Sequence, residues 1–341
     1  MVKIAFLLLL VGLGWAAADL GDVTGLEHSG AYLLLSSLLL AVGLYGSTHG
    51  IDRTEARQHG KLILLAVTVG VLLKAAFIAG VMYLVTGDPR AMILAIAVAQ
   101  IDPLSVAAVM ADNRLSSRAK TILGAWSSFD DPVTVILAFY AVSLSRPAEG
   151  GLTLSYLADL GLNALFAAAA YGVWRLIRNA PPLLSYLAAA AAIVSAAWSS
   201  LMLGVATAGL YLRMPDSRWL ARAVTAAFAL SAFLMGLLLV GGASLMKGFL
   251  LGLAAFAAQM LAALVLTHGL PVADRVHLGL AQQNGITAVI LAVAFEREFA
   301  GFVGVIAPAI VTVNLIYVVA NRVADRWGPL GPARPLPSSP Q

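Results

Sequence analysis

Apolar stretches long enough to cross a bilayer recur along the whole chain, and they limit what it can fold into. A transmembrane helix needs about 17–25 mostly apolar residues. Such runs fill most of the 341-residue sequence, which is 61% hydrophobic and 11% charged, whereas soluble domains carry about 25% charged residues. Because the runs do not alternate between polar and apolar residues, a β-barrel is disfavoured. The sequence therefore predicts an all-α polytopic membrane protein.

The hydrophobic pattern predicts about twelve transmembrane helices. They cover residues 4–18, 30–47, 62–86, 91–111, 119–144, 152–178, 183–197, 198–213, 220–241, 246–267, 274–295 and 300–321. The first segment also fits a signal peptide, because Lys3 precedes its apolar core and residues 16–18 resemble a cleavage site. The many hydrophobic segments that follow favour a retained helix.

Basic residues are distributed unevenly between the loops. With the N-terminus inside, sixteen of the 21 Lys and Arg residues fall in cytoplasmic segments and four in outer ones. This asymmetry predicts cytoplasmic termini in a plasma (bacterial inner) membrane. Residues 328–341 contain five prolines and are predicted to be a disordered cytoplasmic tail. Nothing in the charge pattern predicts a nucleic-acid partner, and the absence of cysteine excludes disulfide and thiol chemistry.

Two adjacent carboxylates, Asp130 and Asp131, lie in the middle of the fifth segment and are followed by Pro132. A charge at this depth costs about 2.5–3.5 kcal/mol on insertion scales. The pair has two interpretations: it neutralises buried bases or caps a half-helix, or it binds and releases a cation or proton. We favour the second, because intramembrane ionisable residues mark ion pathways.

A helix break is predicted in the fourth segment, around residues 100–102. Pro103 removes a helical hydrogen bond and clashes with the carbonyl group of Ala99, and it also pushes Asp102 away from helical angles. Pro132 has the same effect in the fifth segment. The oxygen donors near the two breaks suit a small hard cation, and they come from Asp102, Ser105, Ser127, Ser128, Asp130, Asp131 and backbone carbonyl groups.

The eleventh segment has a polar, glycine-weakened centre that predicts a second interrupted helix. Its residues are Gln282, Gln283, Asn284 and Gly285. Asp102 and Asn284 are 182 residues apart, and the same offset from Asp131 ends beside Asn314. Segments 3–5 and 10–12 are therefore candidates for two repeats with corresponding polar centres, the arrangement that points to a transporter site. The alternative is a polar patch packed between helices.

The motifs QIDPLSVAAVM and SSFDDPVTVIL together resemble the monovalent cation:proton antiporter superfamily. Asp102 matches the aspartate of the family's crossing helix, Asp131 its ion-binding aspartate, and Asp130 the Asn-or-Asp position before it. Residues 203–212 and the sequence GLAQQNGITAVILA match further family segments, so that the similarity covers about 30–320. The resemblance implies two inverted repeats with crossed, interrupted helices.

The resemblance also implies an assembly and a division of the chain. The transmembrane antiporter domain would be 1–327, and the protein would be a homodimer. The ion-binding part would lie mainly in 62–144 and 246–321, and the dimerisation scaffold mainly in 1–47 and 183–241. The expected supporting site residues are Gln100, Pro103, Ser127, Ser128, Pro132, Lys74, Gln283, Asn284, Gly285 and Asn314.

Several positions depart from the family pattern. Ile101 replaces a threonine, Trp126 a glutamate and Asn284 an arginine, and the tenth segment lacks the lysine that pairs with the aspartates in some electrogenic members. Gln259 is the only strongly polar residue of that segment. Lys74 either snorkels to the membrane surface or takes the role of the missing lysine by pairing with an intramembrane aspartate, which we predict.

The predicted function is exchange of Na⁺, or of K⁺ or Li⁺, for protons by alternating access, with both ions competing for Asp131, Asp130 and Asp102. We expect neither an enzyme nor a bound cofactor. A sodium-coupled organic solute transporter and a receptor-like relative that does not transport are the alternatives, and an intramembrane aspartyl protease is disfavoured because its motifs are missing. The histidines, His28, His49, His59, His268 and His277, are expected to be solvated.

Overall fold

The computed structural model describes most of the chain outside the fifth segment and the C-terminal tail. The described residues are 2–21, 25–49, 60–88, 91–101, 154–239, 242–281, 286–297 and 299–326, together with 115–116, 118–120, 122–123, 126–127, 130, 133–134, 137–138 and 141. The predicted disordered tail, 328–341, lies outside them.

Most of the described residues fold into helices. The helices are α1 (Val2–Leu20), α2 (Gly30–His49), α3 (Gly60–Leu65), α4 (Val71–Thr86), α5 (Ala91–Val98), α6 (Leu154–Ile177), α7 (Pro182–Ser199), α8 (Met202–Tyr211), α9 (Ser217–Leu238), α10 (Leu245–Leu266), α11 (Val272–Gly279), α12 (Ile286–Phe295) and α13 (Phe302–Arg326). A π-helical segment, Ala66–Gly70, joins α3 to α4. Every described residue from 118 to 141 is also helical.

The helices match the predicted segments within a few residues and make this a multi-pass membrane protein. Six spans among the described residues are long and apolar enough to cross a bilayer, and three shorter apolar helices accompany them. The predicted segments 91–111, 119–144 and 274–295 are interrupted or extend beyond the described residues. The total of twelve transmembrane helices and the inverted repeats therefore stay predictions.

Two helices organise the packing of the bundle. Helix α2 contacts α7, α8, α9 and α12, whereas α10 contacts α4, α11 and α13. Helix α1 packs on α9 through glycines, since a Cβ atom on Gly14 would lie 2.1 Å from the carbonyl oxygen of Phe233. Small residues allow this close approach in membranes, where helix association depends on packing contacts.

Loop residues that the predicted topology places on the same side of the membrane lie at the same end of the bundle. At one end, the backbone N–H of Met214 donates to His49 Nε2 (3.1 Å). At the opposite end, the N–H of Ser244 donates to the carbonyl of Gly304 (2.8 Å). Which of these ends faces the cytoplasm stays a prediction.

The expectation of solvated histidines is wrong for His49 and His277, which are 8% and 6% exposed. His49 lies just beyond the apolar part of α2, and its ring lies 5.9 Å from that of Tyr45. Burial and the nearby positive charge of Arg213 lower the pKa of His49 from its usual 6.5. His277 lies on the buried face of α11, because the half-helix packs into the bundle instead of ending in a loop. His59 lies outside the described residues.

Candidate ion site

The fourth segment breaks where its sequence predicts. Helix α5 ends at Val98, and the N–H of Ala99 donates to the carbonyl of Ile96 (3.2 Å) in a final tight turn. Gln100 and Ile101 follow outside the helix and are fully buried. The predicted break near residues 100–102 is therefore confirmed, while Asp102 and Pro103 themselves lie outside the described residues.

The carboxylate of Asp130 is bonded to the chain at this first break. Its Oδ2 accepts a hydrogen bond from the backbone N–H of Ile101 (2.8 Å) and another from Lys74 Nζ (2.7 Å). Both charged side chains are 0% exposed. The predicted pairing of Lys74 with an intramembrane aspartate is confirmed, and the snorkelling interpretation is wrong.

Helical spacing places Lys74 inside the bundle. The buried residues of α4 recur every three or four positions, which is the period of a core-facing helix, and they include Val71, Lys74, Ala75, Ile78 and Met82. The π-helical segment ends one turn before Lys74. Such π segments often occur at functional sites, and this one directly precedes the turn that carries the buried Lys74.

The indole ring of Trp126 completes the surroundings of Lys74. Lys74 Nζ lies 5.4 Å from the ring centroid, a cation–π distance. Trp126 is 1% exposed and precedes Asp130 by one helical turn, so ring and carboxylate contact the ammonium group from the same helix. Trp126 thus adds an aromatic contact to the ammonium group beside the charged contact from Asp130.

Thr134 and Gln100 connect the break to the fifth segment through neutral hydrogen bonds. Thr134 Oγ1 lies 2.9 Å from Gln100 Oε1 and 2.8 Å from the carbonyl oxygen of Asp130. Gln100 Nε2 donates to the carbonyl of Ala97 (3.3 Å). Ser127 is 2% exposed on the same helix. The other predicted site residues of this segment, Ser128, Asp131 and Pro132, lie outside the described residues.

The two carboxylate oxygens of the buried ion pair differ in their partners among the described residues. Asp130 Oδ1 accepts no hydrogen bond from any residue that the structure describes. Leaving a buried acceptor unsatisfied costs about 1–3 kcal/mol, and more for a charged group. A carboxylate oxygen is also a preferred ligand of hard cations. The chemistry of this carboxylate therefore suits a cation or a proton at Oδ1 of Asp130.

The eleventh segment is interrupted as predicted. Helix α11 ends at Gly279, where the N–H of Leu280 donates to the carbonyl of Val276 (2.9 Å), and α12 begins at Ile286. The polar residues predicted to form this break lie outside the described residues; they are Gln282, Gln283, Asn284 and Gly285.

The two breaks meet in one buried cluster. Ile101 from the first break and Leu278 and Ala281 from the second pack together with Trp126. Helices α4 and α5 contact each other, as do α10 and α11, and α5 contacts α12. Asn314 is 5% exposed in α13, and its Nδ2 donates to the Ile310 carbonyl of the same helix (2.7 Å). Its place in the site stays a prediction.

Sequence reasoning did not assign Thr134 to the site. Its spacing of four residues from Asp130 was an available signal, because residues so spaced share a helix face. Gln259 was noted only as a polar residue, yet it is fully buried and bonded to the second break.

Comparison with known proteins identifies the fold. No protein-family model and no curated protein sequence matches the chain. The structure of the sodium proton antiporter MjNhaP1 from Methanocaldococcus jannaschii at pH 8 has a TM-score of 0.64 at 17% identity, over 97% of this chain and 99% of that chain. An electron-microscopy structure of the same antiporter has a TM-score of 0.58 at 16% identity, over 98% and 99%. The chain therefore has the fold of a sodium/proton antiporter.

Proposed function

We propose that the protein exchanges a monovalent cation, Na⁺ first among the candidates, for protons across the membrane by alternating access. The observation that carries the proposal is the buried Lys74–Asp130 pair at a helix break, in which Oδ2 is occupied and Oδ1 is unsatisfied among the described residues. The antiporter fold supports the same reaction.

The proposed mechanism is competition for one set of carboxylates. Lys74 offsets one negative charge, so that Asp131 and Asp102 supply the charge that a cation or protons must balance. Asp130 contributes its Oδ1 oxygen to the same set of cation ligands. Binding of the cation then releases protons, and protonation releases the cation. The buried pair itself stays neutral throughout, which limits the cost of holding charge in the membrane.

The interrupted helices give the site its access routes. A break at bilayer depth is tolerated only where it is buried in protein or lines a cavity. We assign α4, α5 and α10–α13 to the moving ion-binding part, and α1, α2 and α7–α9 to the scaffold of a homodimer. Movement of the first part against the second would open the site to each side in turn, with both termini in the cytoplasm of a bacterial inner membrane.

Proton flux in proteoliposomes tests this function. The full-length protein receives pulses of Na⁺, Li⁺ or K⁺ against a pH gradient, beside the variants Asp131→Asn and Asp130→Asn. We expect cation-dependent proton movement in the wild type, its loss in Asp131→Asn and its weakening in Asp130→Asn. Asp159→Asn is the matched control, because this carboxylate is exposed on α6.

Either of two results would overturn the proposal. The first is a folded wild-type protein with no proton flux for any monovalent cation. The second is exchange that is unchanged in Asp131→Asn, which would remove that aspartate from the site. A response to one cation above the others would identify the substrate.

A further inference from the structure

Gln259 is a buried polar side chain that neither the sequence motifs nor the proposed mechanism uses. It lies in the apolar helix α10 and is 0% exposed. Its neighbours on the buried face are small, among them Ala255, Ala258 and Ala262. A polar amide placed among apolar groups in a membrane helix needs a partner, because an unsatisfied one is costly.

One end of the amide is attached to the second helix break. Gln259 Nε2 donates to the carbonyl of Leu278 (3.1 Å), one residue before α11 ends at Gly279. The last carbonyl groups of a helix lack intrahelical donors, and this one accepts otherwise from the N–H of Ala281 at 3.3 Å. Since a carbonyl oxygen can only accept, this contact fixes which amide atom is the nitrogen.

The other end of the amide is unsatisfied. Gln259 Oε1 is buried and has no hydrogen-bond partner among the residues that the structure describes. The same is true of Asp130 Oδ1 at the first break. Beside the two interrupted helices, two buried oxygens, one neutral and one charged, thus accept no hydrogen bond from the described part of the chain. Amide and carboxylate oxygens are the ligand types that hard cations take.

Packing places the two oxygens in the same part of the bundle. Leu278, which Gln259 contacts, packs in one cluster with Trp126 and with Ile101, the donor to Asp130. A Cβ atom on Gly70 would lie 2.8 Å from Leu266 Cδ1, so this end of α10 adjoins the start of α4.

Helix geometry then gives the depths of the two side chains. Lys74 is about 6 Å along α4 from Gly70, and Gln259 is about 10 Å back along α10 from Leu266. With the two helices antiparallel, as the predicted topology requires, Lys74 and Gln259 lie within about one helical turn in depth.

We propose that Gln259 Oε1 is a neutral ligand of the transported monovalent cation, held in place by the bond from Nε2 to the second break. The inference rests on the proposed exchange function and adds to it a ligand from the second half of the molecule. The cation would then be linked to both breaks: to the first through the carboxylate of Asp130, and to the second through Gln259 of α10, whose Nε2 bonds to Leu278.

The test compares three variants in proteoliposomes with the wild type. Gln259→Leu removes both polar atoms, Gln259→Glu keeps an oxygen and adds a titratable group, and Thr267→Val is the control. Thr267 is buried directly after the end of α10, and its hydroxyl donates to the Ala263 carbonyl one turn back. Exchange is measured against Na⁺ and Li⁺ concentration at several pH values.

We expect Gln259→Leu to raise the half-saturating cation concentration about tenfold, which is the loss of one ligand interaction, with a maximal rate close to that of the wild type. The Na⁺-to-Li⁺ ratio should change as well. Gln259→Glu should bind the cation at high pH and lose it to protons at low pH, which shifts the pH profile of exchange upward. Thr267→Val should match the wild type in every respect.

If Gln259 served only packing, its substitution would lower the amount of folded protein or the maximal rate. It would leave unchanged the half-saturating cation concentration, the Na⁺-to-Li⁺ ratio and the pH profile. Unchanged values of these three quantities in Gln259→Glu would overturn the inference, even if Gln259→Leu fails to fold. Absence of exchange in the wild type would instead overturn the proposed function. The two failures are therefore distinguishable.

Discussion

The two interrupted helices of this protein are held by opposite chemistry. At the first break, the backbone N–H of Ile101 is bound by a charged carboxylate, Asp130, which is paired in turn with Lys74. At the second break, the carbonyl of Leu278 is bound by a neutral amide, Gln259. One break exposes a donor and the other an acceptor, and each is matched by a side chain from a neighbouring helix.

This difference indicates which break supplies the charged groups of the site. In the proposed mechanism, the carboxylates near the first break bind a cation or protons while Lys74 stays paired with Asp130, whereas an amide does not titrate. The first break is therefore suited to gain and lose charge, and the second to stay constant. Of the side chains that bind the two breaks, the charged pair Lys74 and Asp130 belongs to the first, and the neutral Gln259 to the second.

The largest expected effect comes from removing one member of the ion pair. Lys74→Met leaves Asp130 buried without a counter-charge, which costs about 3–5 kcal/mol of stability in buried pairs. We expect a marked fall of the unfolding temperature in detergent. The double variant Lys74→Met with Asp130→Asn should recover most of the loss, because it buries no charge. A single variant as stable as the wild type would show that the pair is not formed.

The next effect concerns the link between the two halves at one end of the bundle. Asp274, in the first turn of α11, accepts hydrogen bonds from the N–H of Ser116 (3.0 Å) and from its hydroxyl (2.6 Å). Asp274→Ala leaves these donors without their charged partner, so we expect a loss of about 1.5–3 kcal/mol. Thermal unfolding measures it, with the exposed Asp159→Ala as control. Equal unfolding temperatures of the two variants would refute the link.

A smaller effect should follow from Thr134→Val, which keeps the shape of the side chain and removes its hydroxyl. Loss of the bond to Gln100 Oε1 at the first break should cost about 1 kcal/mol. The control is Thr225→Val, whose exposed hydroxyl bonds only to the Ala221 carbonyl of its own helix (2.8 Å). A difference between the two variants in chemical unfolding isolates the contribution of the break, and no difference would argue against it.

The smallest effect is expected for Trp126→Phe. The ring face toward Lys74 is retained, and the lost Nε1 has no partner among the described residues. The cation–π contact weakens by less than about 1 kcal/mol, and removal of an unsatisfied buried donor offsets part of that loss. The exposed pair Trp219 and Arg222, 5.0 Å apart, provides Trp219→Phe as control. A loss as large as that of Lys74→Met would mean that Nε1 has a partner.

Much of the fold was predictable from the sequence, because long apolar runs have few alternatives in a membrane. The helix break near Asp102 followed from Pro103, whose ring excludes the helical hydrogen bond wherever it occurs. The sequence predicted that Lys74 pairs with an acidic residue, because a buried lysine needs one. It did not predict which residue, since three intramembrane aspartates were candidates. The solvation of the histidines was predicted incorrectly, since position at a helix end does not reveal what packs over it.

The sequence alone was enough to predict that this chain spans a membrane, that two of its helices are interrupted and that carboxylates lie at bilayer depth. Each of these is a local property of composition, proline chemistry or the cost of charge in hydrocarbon. Three contacts became visible only in the tertiary structure: Lys74 pairs with Asp130, the ring of Trp126 lies against the ammonium group, and Gln259 bonds to the second break. These contacts join residues 19 to 56 positions apart, and their geometry depends on how whole helices pack against each other.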